Sequence, residues 1–192
     1  MIRRFYDWTL SLAETRYAMW ALAVVAFMES SFFPIPPDLL MIPMILARPN
    51  RAFRIAGVAL VASVLGGLLG YAIGALAYDT LGAPVLTALG KEAYFAEFTQ
   101  RYNDWGIWVV LAAGVTPFPY KVITILSGAT ALNLPVFIAT SIVARGLRFF
   151  IVAGLLWKYG DPIRDFIEKR LGLLFSLFVI LLFGGFYLVR FL

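Results

Sequence analysis

The sequence predicts an all-α, polytopic membrane protein built from two inverted repeats, each a re-entrant helical hairpin plus a transmembrane helix, with a C-terminal transmembrane helix. Three observations carry this expectation. Of 192 residues, 62% are hydrophobic and 14% charged, and the mean hydropathy is +0.88, well beyond what a water-soluble domain shows. The apolar stretches Ile55–Tyr78, Leu134–Trp157 and Leu171–Leu192 run 22 to 24 residues, where about 20 suffice to cross a hydrocarbon core roughly 30 Å thick. Two further apolar regions are each cut near the middle by a proline cluster, at an offset of 83 residues.

The elements follow in order. Residues 1–16 mix Arg3, Arg4 and Arg16 with Asp7, Glu14, Tyr6 and Trp8, with no apolar core and cleavage site directly after a basic start. They are expected to form a retained, interfacial amphipathic segment. A membrane domain over 17–157 comes next. Its first hairpin, 17–47, reads Tyr17–Phe33, then Pro34-Ile35-Pro36-Pro37-Asp38, then the nine-residue arm Leu39–Ala47, which covers only about half a bilayer. After the span 55–78, the second hairpin, 105–133, reads Trp105–Val115, Thr116-Pro117-Phe118-Pro119-Tyr120-Lys121, then Val122–Asn133. The span 134–157 follows, and 158–192 is read as a cytoplasmic loop and the final transmembrane helix. The two tips share a Pro-x-Pro-x-charge pattern, each followed by an apolar arm and a long span, which is an internal repeat. Backbone broken at such depth must line a protein-walled or watery cavity, and matched broken helices mark a transporter's binding site.

Charge placement gives the topology. The N-terminus and the Arg48–Arg54 loop share one side if the first hairpin re-enters, and the positive-inside rule makes that side cytoplasmic. The segment 79–104 then falls outside, with Lys91 and Arg101 against Asp79, Glu92, Glu97 and Asp104. Lys158, Arg164, Lys169 and Arg170 return inside, and the hairpins enter from opposite faces. The basic residues sit in short loops and form no long basic face, which argues for membrane orientation and against nucleic acid.

Glu29, Asp38, Lys121, Arg145 and Arg148 are charged side chains within the first four apolar segments or their breaks. Each costs about 2.5 kcal/mol or more at the bilayer centre unless paired or hydrated. Arg145 and Arg148 are three residues apart and share a helix face. The half-helices after Asp38 and Lys121 begin in the cavity, so their free N–H groups make an anion-receptive place. Lys121, Arg145 and Arg148 are read as phosphate ligands. Glu29 and Asp38 are read as proton-carrying or gating residues, with Glu29 the proton carrier if transport is coupled. Two plainer roles stand beside these. Asp38 is placed to cap its own half-helix, and the two carboxylates are placed to pair with the two arginines. Gly66, Gly67, Gly70 and Gly74 suit close helix packing. Trp20, Trp105, Trp108, Trp157 and Tyr159 suit interfacial belts.

The chain has no cysteine and no histidine. Disulfides, thiolate nucleophiles, cysteine- or histidine-ligated metals and imidazole proton shuttles are therefore excluded. No enzyme, cofactor or metal is expected.

The run Glu29-Ser30-Ser31-Phe32-Phe33-Pro34-Ile35-Pro36-Pro37-Asp38, the glycine-rich span, Gly114-Val115-Thr116-Pro117-Phe118-Pro119-Tyr120-Lys121 and Ser127-Gly128-Ala129 resemble the DedA family, also called the SNARE-associated or VTT-domain family. The shortened proline loop is most similar to its YqaA-like branch, and the resemblance covers roughly residues 17 to 160. It implies a bacterial inner-membrane protein with two opposed re-entrant hairpins that translocates lipid, by flipping polyprenyl phosphate or scrambling phospholipid, often driven by the proton-motive force. It also implies that Glu29 and Asp38 match the family's membrane carboxylates. The family's arginine pair around the second proline motif is not preserved: Gly114 stands at the first place, and Lys121 is the nearest basic residue to the second. The expected function is lipid transport, by a flippase or scramblase, with membrane lipids and, for coupled transport, protons as partners. Homo-oligomerisation is left open. A small-ion or metabolite transporter is the alternative, as is a membrane-assembly factor without transport.

Overall fold

In the computed structural model the described residues are 17–33, 35–116 and 118–189, so the amphipathic segment 1–16 and the tip prolines Pro34 and Pro117 lie outside them. Among the described residues the regular structure is helical, with no strand. Helix α1 is Ala18–Ser31, and its end is closed by the N–H groups of Phe32 and Phe33, which both donate to the Met28 carbonyl. Pro36 and Pro37 lack the N–H that would extend it. Pro37, at φ −64°, instead starts α2, Asp38–Ala47, where a fixed φ suits a first turn. A short 3₁₀ turn, Pro49–Arg51, leads into α3, Ala52–Ala77.

The expected external segment 79–104 is largely helical. A wide turn at Tyr78–Gly82 passes into α4, Ala83–Ala88. Gly90 then adopts φ +60° and closes the end of α4 before α5, Glu92–Val115. Helix α5 thus begins well before Trp105. The polar stretch before Trp105 contains Glu, Ala, Gln and Arg and no proline or glycine, so nothing in it stops a helix. Thr116 is extended (ψ 166°), as a residue before proline must be, and Pro119 leads into α6, Tyr120–Ala129.

Leu134–Val189 is one helix, α7, with Pro162 inside it. The loop expected over 158–170 is therefore helical. Its Lys, Arg and Glu residues favour helix, and its proline removes a single backbone hydrogen bond.

The two interrupted regions are both helix–break–helix units, and they interlock. Each first arm packs on the long helix that follows it, α1 on α3 and α5 on α7. Each second arm packs on the other unit's long helix, α2 on α7 and α6 on α3. Helix α3 is central because glycine lets its neighbours approach. A Cβ at Gly66 would strike the carbonyl of Phe27 on α1, and one at Gly74 the carbonyl of Ile125 on α6.

Polarity runs opposite to that of a soluble domain. Val61, Leu65, Leu69 and Leu76 on α3 and Ile142, Val143, Leu147 and Ile151 on α7 are exposed, whereas Glu29, Ser30, Ser63, Thr124, Ser127, Ser141 and Arg145 are buried. Pro49–Ala88 and Leu134–Gly160 are each long and apolar enough to cross a bilayer. Trp20, Trp105, Trp108, Trp157 and Tyr159 are exposed.

Two apolar clusters flank the buried polar residues. One joins Leu22, Met41, Ile45, Ala56, Phe149 and Ala153; the other joins Val110, Tyr120, Ile123, Leu132 and Phe137. Along α7, Ser141 and Arg145 fall between Phe137 and Phe149, so the polar layer lies between the clusters.

Adding one methyl group distinguishes packed from open glycine. Gly66→Ala is expected to destabilise the protein by about 1–3 kcal/mol through overpacking, while Gly57→Ala, with no atom within 4 Å of its Cβ, is neutral or slightly stabilising. Thermal unfolding of the two variants in detergent checks this.

Candidate functional site

The breaks leave α1 and α6 ending against each other, and the charges gather there. Glu29 lies in the last turn of α1 and Arg145 near the middle of the apolar part of α7, and their side chains form an ion pair at 2.8 Å, with the arginine side chain 1% exposed. The Arg145 Nε–H also donates to Ser63 Oγ at 2.7 Å. Ser63 and Ser30 share a 2.7 Å hydrogen bond, and the Ser30 hydroxyl reaches Glu29 Oε2 at 3.2 Å. The guanidinium packs over the rings of Tyr120 and Phe149, with centroids at 4.9 and 4.6 Å. A buried charge survives only when paired and hydrogen-bonded, and this layer supplies both.

Glu29 does a second job. Its Oε1 accepts the backbone N–H of Tyr120 at 3.3 Å, so the carboxylate caps the positive end of α6 from another helix. The anion-receptive helix start expected at the second tip is already occupied by an internal anion.

The second pair lies closer to the surface. Arg148, one turn beyond Arg145, donates to Asp38 Oδ2 at 2.6 Å, with the two side chains 15% and 18% exposed. Its other terminal nitrogen donates to the Thr116 carbonyl at the second tip. Asp38 therefore does not cap α2: Pro37 holds the N-cap position and no side-chain cap forms. Lys121, the second residue of α6, is partly exposed, and its Nζ reaches the Phe32 carbonyl at 3.4 Å. One tip thus touches the other.

All five buried-segment charges are brought into one region. Both arginines, read from sequence as phosphate ligands, are held by carboxylates, and Lys121 forms no ion pair among the described residues. Of the tip prolines that are described, Pro36 is partly exposed and Pro37 buried, and the Pro119 carbonyl accepts the Val122 N–H in the first turn of α6. Gly114 leaves no room for a side chain, since a Cβ there would strike that of Ala144, beside Arg145.

Sequence reasoning missed the hydroxyl groups. Tyr120 is fully buried and donates to Ser141 on α7 at 2.5 Å. Thr124 Oγ1 lies 2.9 Å from the carbonyls of both Ser30 and Lys121. On one face of α6, Tyr120, Thr124 and Ser127 lie at three- to four-residue spacing, a polar stripe within an apolar helix that could have flagged them. Among the described residues no group of three or more Asp or Glu is placed to hold a metal ion.

Tyr120→Phe is expected to cost about 1–2 kcal/mol by stranding Ser141. Tyr120→Leu costs about a further 1 kcal/mol through the lost contact with the guanidinium. Unfolding midpoints of the two variants give both numbers.

Comparison with known proteins places these residues in context. The family model of the VTT domain matches residues 35–158, well over half the chain, including the first tip from Ile35, the whole second tip and every residue of the site from Asp38 onward. An uncharacterised protein of Haemophilus influenzae is 38% identical over 167 residues, which cover 85% of this chain and 86% of that protein. An uncharacterised protein of Histophilus somni is 36% identical over 167 residues, covering 85% of this chain and 87% of its own length. No solved structure gives a significant match.

Proposed function

This chain belongs to the VTT-domain family, and from that premise we propose that it is a multi-pass protein of a bacterial inner membrane that moves a phosphate-bearing lipid across the bilayer. In this reading the two helix–break–helix units are re-entrant hairpins entering from opposite faces. The exchange of arms, with α2 on α7 and α6 on α3, supports an inverted repeat, and the exposed apolar and buried ionic residues support a lipid surround. The N-terminus and the Arg48–Arg54 turn face the cytoplasm. The protein acts as a transporter and not as an enzyme.

The observation that carries the reading is the gradient of exposure through the charged layer. Lys121, Asp38 and Arg148 are partly exposed, whereas Glu29 and Arg145 are buried, and of the three cations only Lys121 forms no ion pair among the described residues. A headgroup phosphate arriving at the tips meets Lys121 first. It then competes with Asp38 for Arg148, whose planar fork suits phosphate as well as carboxylate. The layer holds three cations and two carboxylates, so the charge of one phosphate balances the third cation, and the headgroup passes without adding an unpaired charge to apolar surroundings. Protonation of Glu29 removes the counter-charge of Arg145 and weakens the cap of α6, which becomes a neutral hydrogen bond. A proton gradient thereby loosens the α1–α7 contact, which gives the coupling.

Translocation of a fluorescent phospholipid in proteoliposomes tests this. Lys121→Ala is expected to slow it about tenfold, the loss of one charge-assisted contact, and Glu29→Gln to abolish its response to an imposed pH gradient. Unchanged rates for Lys121→Ala count against the headgroup path, and an undiminished response for Glu29→Gln counts against proton coupling. Flux of a soluble solute without lipid movement would favour an ion or metabolite transporter.

A further inference from the structure

We propose that Ser63 makes the protonation of Glu29 regiospecific: the proton lands on Oε1, the oxygen facing α6, so that proton uptake and loosening of the second tip become one event. This role controls the proton step of the proposed function and rests on the reading of Glu29 as the proton carrier.

Ser63 is the single serine of α3. With Ser30, Glu29 and Arg145 it closes a ring of four contacts. Arg145 Nε lies 2.7 Å from Ser63 Oγ, Ser63 Oγ 2.7 Å from Ser30 Oγ, Ser30 Oγ 3.2 Å from Glu29 Oε2, and Glu29 Oε2 2.8 Å from Arg145 Nη2. Both serines are 0% exposed, so each hydroxyl hydrogen has to find its acceptor inside the protein.

Counting hydrogens fixes the direction of the ring. A guanidinium N–H only donates, so Ser63 accepts from Arg145. The hydrogen of Ser63 then goes to Ser30, and that of Ser30 goes to Glu29 Oε2. A proton on Oε2 would need an acceptor, and among the described residues the one in contact with Oε2 is the Ser30 oxygen. Ser30 would have to turn its own hydrogen towards Ser63, which would leave the Ser63 hydrogen without an acceptor in a sealed site, a costly orphan.

A proton on Oε1 leaves all four contacts in place, with Oε2 as the carbonyl oxygen. It disturbs only the 3.3 Å bond from the Tyr120 N–H, which caps α6. The proton comes from water and forms the O–H at Oε1, and no other covalent bond of the protein changes. Ser63 never touches that proton: it is a positioning residue that acts through Ser30 and Arg145. The other charged and ionisable groups around the ring have their own partners. Arg148 on α7 holds Asp38 on α2, and on α6 Tyr120 donates to Ser141 and Lys121 to the Phe32 carbonyl.

Infrared difference spectra of the full chain in lipid nanodiscs, acid minus neutral pH, test this. They read the carbonyl stretch of protonated Glu29, which Glu29→Gln removes. A carbonyl that accepts two hydrogen bonds stretches at lower frequency than one that accepts fewer, so the wild type is expected to show one low-lying band. Ser63→Ala frees the Ser30 hydroxyl to turn away, and the band is expected to move to higher frequency or to split. Ser63→Thr, which keeps the hydroxyl, restores it. The same band in the wild type and in folded Ser63→Ala, or no Glu29-dependent band in the wild type down to the acid limit of folding, overturns the role. Lipid translocation is measured on the same proteins in proteoliposomes. A wild type that shows the band and its Ser63 dependence but moves no lipid sinks the transport reading and leaves this role standing.

Discussion

A guanidinium group sealed inside an apolar bundle is the constraint from which most of this structure follows. Arg145 is 1% exposed, and a charge so placed is tolerated only with an opposite charge and hydrogen bonds to its remaining donors. Glu29 supplies the charge, Ser63 a hydrogen bond, and Tyr120 and Phe149 the flanking rings. These partners come from α1, α3, α6 and α7. Satisfying one side chain therefore fixes the relative position of four helices, and it does so where both broken segments end.

The breaks and the glycines make that convergence sterically feasible. An unbroken α1 would carry its chain past the layer, but the helix ends at Ser31 and a new one starts at Asp38, whose side chain also reaches α7. On α3, glycine at Gly66 and Gly74 lets the backbones of α1 and α6 approach to contact, closer than any side chain would allow. The Glu29 cap on α6 depends on this closeness. Helix ends in apolar surroundings need partners for their free N–H groups, and here a side chain from the other unit provides one.

Much of this was legible in the sequence, for identifiable reasons. Spans are announced by uninterrupted hydropathy and breaks by proline, so α3, the apolar part of α7 and both interruptions lie where composition puts them. The five charges stood out because apolar surroundings make any charge conspicuous. Their pairing did not, because Glu29 and Arg145 are 116 residues apart and spacing cannot choose between an internal partner and a phosphate. Ser63, Tyr120 and Ser141 are ordinary residues whose role depends on packing alone. The helical course of 92–104 was obscured because its polarity resembles that of a loop, although its residues favour helix. The continuation of α7 through 158–170 was obscured in the same way, since charge suggested a boundary that backbone propensity does not require.

The central claim is that the buried Glu29–Arg145 pair joins the two units, and a double-mutant cycle on unfolding free energy tests it most directly. Glu29→Gln, Arg145→Gln and the double variant are compared with the wild type by reversible denaturation in mixed micelles. The account predicts that each single change costs about 3 kcal/mol or more by leaving a buried charge unpaired, and that the double variant costs little more than either, a coupling of about 3 kcal/mol. Additive losses, with a coupling near zero, would contradict it.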